Sequence, residues 1–467
     1  MTGQEILTTT EKLRWQIPPN ARDKWVENVY AEAARIAGRN VTRTGHEHKL
    51  PWERRLDWLL TSRWTGVPVM VGILAVVLWL TIEGANVPSQ MLATLLMDKI
   101  YPALKTLAAP LPWWLSGVLV DGMYLTTAWV VSVMLPPMAI FFPMFTILED
   151  FGYLPRVAFN LDNTFRKAGA HGKQALTMCM GFGCNAAGVI ATRIIDSPRE
   201  RLIAIITNNF ALCNGRWPTQ ILIATVFLGA LAPPALAGLT AASAVLSVAM
   251  LGVVLSFVAS WMLTGTVLKG EASTFSLELP PYRPPRILKT LYTSLIDRTI
   301  FVLWRAVIFA LPAGVAIWLV GNVTIAGQSL AQHIVGRLEP VGLFLGLNGV
   351  ILLAYIVAIP ANEIVIPTIL MLTVMTTGVT GVGEQGAGVM FEAEGNALLT
   401  LFRTGGWTTL TGVCLMLFSL CHNPCSTTIF TIWKETKSAK WTTVATFLPI
   451  AFGIVICATV AFVWRMF

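Results

Sequence analysis

Residues Gly66–Glu83 read GVPVMVGILAVVLWLTIE, with no charged side chain before Glu83. A helix needs about 20 such residues to cross a hydrocarbon layer of roughly 30 Å. Runs of the same kind recur as far as the C-terminus. Of 467 residues, 55% are hydrophobic and 12% charged, against about 25% charged in a soluble globular protein. Strand-like alternation with a polar lumen is missing, which argues against a β-barrel. Helices satisfy their own backbone hydrogen bonds in lipid, so the spans are expected to be helical. Trp64, Trp113, Trp114, Trp433 and Trp464 flank apolar runs, where indole rings settle at the lipid–water boundary. The fold class expected is all-α, a polytopic transmembrane helical bundle of about 8–10 membrane segments.

The net charge of +8 is not a nucleic-acid signal, because the basic residues sit in short loops where they set topology. Arg54, Arg55 and Arg63 precede the first span, about 66–83, and place the N-terminus in the cytoplasm. Residues 84–121 read as Pro-punctuated amphipathic segments on the outer face. A second span, about 122–148, returns inside, followed by Arg156, Arg166, Lys167 and Lys173. The apolar segment 174–192 is interrupted by Gly181-Phe182-Gly183-Cys184-Asn185. Basic residues on both sides suggest that it enters from the cytoplasm and turns back. Spans at 201–229 and 234–265 follow, then a Pro-rich basic loop 266–298 with Lys269, Arg283, Arg286, Lys289 and Arg298. After a span at 299–321, the run 341–376 is interrupted at Ile359-Pro360-Ala361-Asn362-Glu363. The loop beyond it carries Glu384, Glu392 and Glu394, so this segment is expected to re-enter from outside. Spans at 403–421 and 443–464 complete the chain, with Lys434, Lys437 and Lys440 between them. The expected units are 1–65, a cytoplasmic segment with a helix around Asp23–Ala37; 66–121, the first span with its outer segment; 122–265, a first repeat; 266–298, a cytoplasmic loop; and 299–467, a second repeat.

The repeat has a local signature. Phe210-Ala-Leu-Cys213 aligns with Phe418-Ser-Leu-Cys421, and Thr219 and Ile221 match Thr427 and Ile429 at the same offset. Each follows a broken apolar segment. Halves that enter from opposite faces are inverted repeats, an arrangement many transporters share.

Interrupted helices are costly in lipid unless the freed backbone lines a cavity or is covered by protein. Gly181 and Gly183 permit an unusual turn, leaving Cys184 and Asn185 to face a solute; a kink filled by small residues is the competing reading. Cys213-Asn214-Gly215-Arg216-Trp217-Pro218 breaks the next span, and Cys421-His422-Asn423-Pro424-Cys425 breaks its counterpart. Thiolate and imidazole suit late first-row divalent ions better than magnesium or calcium, although intramembrane cysteines are mostly packing residues. Glu363 lies in the second break, and an ionisable residue at that depth is by default an ion ligand or proton carrier; its competing reading is a buried ion pair with Arg216 or Arg403. Glu149 and Asp150 read as interfacial charges, and His46 and His48 as part of a solvated loop. The candidate metal-binding residues are therefore Cys184, Asn185, Cys213, Cys421, Cys425 and Glu363. Gly181, Gly183, Asn362 and Pro424 are the candidates for gating. No Gly-x-x-x-x-Gly-Lys-Ser/Thr loop, serine-hydrolase elbow or His-Glu-x-x-His occurs. A transporter is expected rather than an enzyme, with no permanently bound cofactor. No cleavable signal peptide is expected, since the first 50 residues are polar.

Leu148-Glu-Asp-Phe-Gly-Tyr-Leu-Pro-Arg-Val-Ala-Phe159, Gly181-Phe-Gly-Cys-Asn185, Ala191-Thr-Arg193 and Asn423-Pro-Cys-Ser-Thr-Thr428 followed by Lys434-Glu435 resemble segments of the ferrous-iron transport protein B (FeoB) family. Order and spacing agree over roughly residues 20 to 467. The resemblance implies Fe²⁺ uptake across a bacterial or archaeal inner membrane through two gate regions, about 174–230 and 340–435. Family members usually carry an N-terminal GTP-binding domain, and Asn20-Ala-Arg-Asp-Lys-Trp25 resembles the stretch just after it. None is visible here, so a membrane domain split from its GTPase is expected. Where the family's second gate commonly has Ala-Lys-Glu, this chain has Ala361-Asn362-Glu363, which leaves the carboxylate without a neighbouring lysine. The partners expected are the bilayer, a divalent metal ion as transported substrate, a separate GTPase protein, a small cytoplasmic accessory protein and a second copy of the chain.

Two other classes compete. A nucleoside or other organic-solute transporter would use amides and an aromatic ring, for which Asn208, Asn209, Asn214 and Trp217 are available. A membrane scaffold or sensor would dock a partner on the basic loops 154–173 and 266–298.

Overall fold

The computed structural model describes residues 21–40, 51–62, 64–167, 169, 171–233, 236–269, 282, 287–325, 327–378, 389–390 and 395–466. His46, His48, Arg63, Arg283, Arg286, Glu384, Glu392 and Glu394 lie outside them. The long apolar runs are helical, as their composition requires in lipid. In chain order the helices are α1 Ala21–Asn40, α2 Pro51–Thr61, α3 Gly66–Leu107, α4 Trp113–Asp150, α5 Tyr153–Lys167, α6 Lys173–Gly183, α7 Asn185–Ala191, α8 Pro198–Thr207 and α9 Trp217–Leu231. The second half adds α10 Ala237–Thr266, α11 Ile287–Asn322, α12 Leu330–Phe344, α13 Gly349–Val357, α14 Asn362–Thr377, α15 Gly395–Thr404, α16 Thr409–Cys421, α17 Ser426–Thr436 and α18 Ala439–Met466. A two-residue hairpin, β1 Thr324–Ile325 with β2 Gln328–Ser329, joins α11 to α12. Among the described residues six helices are long and apolar enough to cross a membrane, α16 and α17 together making one of them. The pair α12–α13, bent by 110°, makes a seventh if taken as one span.

The first two spans differ from expectation. α3 does not end near residue 83 but runs to Leu107, and α4 begins at Trp113 rather than 122. At 1.5 Å per residue α3 is about 63 Å long, twice the hydrocarbon layer. Proline punctuates that stretch of the sequence. Inside a long helix it removes one hydrogen bond and bends the axis. Pro88 lies within α3, and Pro102 lies two residues beyond a π-helical stretch, Thr94–Ile100, whose wider turns accommodate the ring. α4 crosses α11 where Gly122 meets Gly314. A methyl on Gly122 would lie 2.8 Å from the Gly314 carbonyl oxygen, and one on Gly314 would lie 2.3 Å from that of Gly122.

α5 is amphipathic and docks α2. Buried Arg156 donates to Asp57 Oδ1 (3.2 Å) and to the Gly152 carbonyl (2.7 Å), and Tyr282 donates to the same carboxylate oxygen (2.9 Å). The guanidinium lies 4.2 Å from the Tyr282 ring centroid. Burial, with Asp57 as hydrogen-bond acceptor, pushes the Tyr282 phenol up to about 12, so it stays a donor through the neutral range.

Two hairpins of broken helix enter from opposite faces. Lys173, at the start of α6, donates to the carbonyl of Ile194 (2.8 Å) just beyond α7, so both ends of α6–α7 lie on the basic face. The α13–α14 hairpin has both ends on α12: the Gly349 N–H donates to Glu339 (2.7 Å), and Gln332 donates to the Met375 carbonyl (2.9 Å). Arg465, at the far end of α18 from Lys440, donates to the carbonyl of Leu343 in α12. α12 therefore caps the face opposite the basic one.

A candidate cation site where four helices are interrupted

The first interruption of each repeat has the same backbone. Cys184 is extended at φ −152°, ψ 120°, and Ala361 at φ −151°, ψ 122°; an asparagine follows each and starts the next helix. The second interruption of each repeat bonds to the first. The Asn214 N–H donates to the Gly183 carbonyl (3.1 Å), and the Ser426 N–H to the Ile359 carbonyl (3.0 Å). The repeats then join each other. Asn362 Nδ2 lies 3.7 Å from Cys213 Sγ, and Gln220 donates to the Met416 carbonyl (2.8 Å).

This closure brings four of the predicted groups together. Cys184 has Cys425 and Cys213 as electrostatic neighbours, and Cys213 and Cys425 both have Glu363. A methyl on Gly215 would lie 2.1 Å from Glu363 Oε1, so the carboxylate stands directly against the second interruption of the first repeat. Cys213 is buried, whereas Cys184, Cys425 and Glu363 keep some accessible surface. Cys425 Sγ is 3.3 Å from Thr428 Oγ1. Among the described residues no three His, Cys, Asp or Glu groups are close enough to enclose a metal ion together. The set is thus looser than a structural chelate. Conduction needs sites that bind favourably and still release.

The other predicted residues have different places. Cys421 turns to the last helix, where a methyl on Gly453 would come within 3.0 Å of its Cβ, and it neighbours Cys457. Asn185 is 2% exposed, and in its hydrogen-bonding orientation its amide nitrogen donates to the carbonyls of Gly181 (2.9 Å) and Ala211 (3.2 Å). Its side chain ties the two interruptions of the first repeat. Gly181 and Gly183 do not make the turn. Both lie in α6 without positive φ, and the extended residue is Cys184. Glycine is needed instead for close approach, since a methyl on Gly183 would stand 1.9 Å from the Phe141 ring and one on Gly181 would stand 2.5 Å from Asn208 Oδ1. Asn362 holds Cys213, and the Pro424 carbonyl accepts from Asn423 Nδ2 (3.2 Å). Of the amides considered for an organic solute, Asn208 donates to the Asn185 carbonyl and Asn209 to that of Ala445, each at 3.0 Å, while the side-chain oxygen of each has no hydrogen-bond partner.

One feature of the site was not legible beforehand. Arg193 and Arg201 clasp Glu435 at 2.5 and 3.1 Å. α7 begins at Cys184 and α17 at Cys425, so this ion-pair cluster fastens together, at the basic face, two half-helices that start at candidate ligands. A cavity of about 470 Å³ lies beside it, lined by Glu149, Met180, Ala187, Arg193, Thr431 and Glu435 among others. Glu149, read from sequence as interfacial, faces that cavity, while Asp150 accepts a hydrogen bond from Thr290 (2.6 Å).

Residues 131–228 match the family described as Gate, nucleoside recognition, and residues 245–297 match the ferrous iron transport protein B C terminus. The Fe(2+) transporter FeoB of Staphylococcus aureus is 28% identical over 467 residues, covering 97% of this chain and 66% of the relative. That of Campylobacter jejuni is 26% identical, covering 83% of this chain and 62% of the relative. A Porphyromonas gingivalis protein named as an Fe(2+) transport protein A/Fe(2+) transporter FeoB fusion is 26% identical, covering 67% of this chain and 40% of the relative. The chain thus spans 66% or less of the length of these relatives. No solved structure matches it. Fold and site together define a multi-pass helical membrane protein built from paired repeats of interrupted helices. Within that class, the chain is similar to the ferrous-iron transport protein B family, over that family's membrane region.

Proposed function

We propose that the chain carries a divalent cation, ferrous iron above all, across a bacterial inner membrane. The observation that supports this most is the meeting of Cys184, Cys213, Cys425 and Glu363 at the level where four helices are interrupted. Sulfur ligands favour a late first-row ion over magnesium or calcium, and a carboxylate supplies charge in place of lost hydration. The loose spacing suits an ion in transit. The cavity on the basic face supplies an aqueous approach, because Met180, Ala187 and Thr431 lie about one turn from Cys184 or Thr428. The relatives named as Fe(2+) transporters support iron as the substrate, and the fused Fe(2+) transport protein A of one of them supports a small accessory partner. The basic residues support a cytoplasmic N-terminus and a cytoplasmic α6–α7 entrance. A separate GTPase is the proposed source of control.

Iron uptake by cells expressing the chain tests this reading. Cys184→Ser, Cys213→Ser and Glu363→Gln, each present in the membrane at wild-type level, are expected to lower uptake about tenfold, equivalent to about 1.4 kcal/mol. Wild-type uptake in all three would remove the site.

A further inference from the structure

Arg216 is 1% exposed, between the two repeats. Its Nη1 donates to the carbonyls of Asn209 (3.2 Å) and Leu420 (2.9 Å), and its Nη2 to those of His422 (3.0 Å) and Asn423 (3.2 Å). Three of these acceptors belong to the other repeat, at the interruption after α16. Nε has no partner. Every guanidinium hydrogen bond thus goes to a carbonyl dipole, which solvates the charge without cancelling it. Glu363 Oε1 stands against Gly215, the residue before Arg216, and Cys213 precedes Arg216 by three residues in the same interruption. A full positive charge held inside the membrane is costly, and marks function by default. Fastening the repeats explains the hydrogen bonds. It leaves unexplained why the fastener is a cation placed beside the carboxylate of a cation path.

We propose that Arg216 sets the charge the passage accepts: held by carbonyls of both repeats, it balances Glu363 across a gap, so the empty site offers a monovalent cation no net attraction. A divalent ion that bonds sulfur still enters. The sulfur atoms of Cys184, Cys213 and Cys425 give such an ion a bonding preference that K⁺ lacks. This inference rests on the reading of the site as a cation path.

The test is flux into liposomes containing the purified chain, measured separately for K⁺ and for Fe²⁺. In Arg216→Gln the charge of Glu363 is unbalanced, and the K⁺-to-Fe²⁺ flux ratio should rise about tenfold or more. Arg216→Lys keeps the charge without reaching four carbonyls and should still exclude K⁺, even with lower total flux. Arg216→Gln combined with Glu363→Gln removes both charges and should return K⁺ flux to the wild-type level. An unchanged ratio in Arg216→Gln, or a K⁺ leak as large in the double variant as in the single one, would reduce Arg216 to a fastener. Should Arg216→Gln not fold, a K⁺ leak through Arg216→Lys would overturn the proposal and continued exclusion would support it. Absence of Fe²⁺ flux through the wild type, both with and without GTP and a candidate GTPase, would remove the cation path itself; Fe²⁺ flux with unaltered discrimination in the variants removes only the role of Arg216.

Discussion

Gly215 and Glu363 stand against each other from opposite repeats, with no room for a methyl group between them. Gly215→Ala must therefore turn the carboxylate away from Cys213 and Cys425. Liposome Fe²⁺ flux is expected to fall about tenfold in a variant that still purifies as a folded protein; wild-type flux would show that the position of the carboxylate does not matter. The cysteines divide in the same assay. Cys425→Ser should lose most of the flux, whereas Cys421→Ser, whose thiol packs on the last helix, should keep it. The sequence made Cys184, Cys213, Cys425 and Glu363 legible because thiol and carboxylate groups stand out at breaks in apolar runs. It did not separate Cys421 from Cys425, since which side of a helix faces a neighbour depends on packing that no single chain segment determines. Arg216 was legible only as a prospective ion-pair partner. Its actual acceptors are backbone carbonyls, three of the four in the other repeat, which carry no residue signature.

Helices joined at both ends behave as units, and two joints here can be broken separately. Arg156 binds α5 to α2 through Asp57, beneath the Tyr282 ring. Arg156→Ala removes the cation that pairs with Asp57, which keeps the Tyr282 hydrogen bond, and should lower the unfolding free energy by about 1 kcal/mol, read as a lower melting temperature in detergent. No change in melting would mean that the joint is held by other contacts. The Glu435 clasp is the second joint. Glu435→Gln removes the charge gripped by Arg193 and Arg201, so α7 and α17 should part more readily at the basic face. Cys184 and Cys425 should then react faster with a water-soluble maleimide added to that face, and an unchanged rate would mean that the clasp does not control access. Interruptions of helices were legible from Gly, Pro and Asn inside apolar runs, and all four proved real. The length of α3 was not, because Pro88 and Pro102 look the same in sequence whether they end a helix or bend it.

At the scale of the molecule, the two re-entrant hairpins come from opposite faces, α6–α7 from the basic side and α13–α14 from the side capped by α12. Cysteines introduced at Gln328 and at Lys437, in a chain whose reactive native thiols are first blocked, should be labelled from opposite sides of a sealed vesicle; labelling from one side would contradict the inverted arrangement. The opposed order is an expectation drawn from the alternation of basic and acidic loops, whereas the matching backbone of Cys184 and Ala361 was hidden by unlike side chains. The most direct measurement is Fe²⁺ flux into liposomes holding the purified chain, compared with the same chain carrying Cys184→Ser, Cys213→Ser and Cys425→Ser together. If thiols where the four interrupted helices meet carry the ion, the wild type should show metal-dependent influx and the triple variant, equally folded and equally abundant, almost none. Equal influx through both would contradict it.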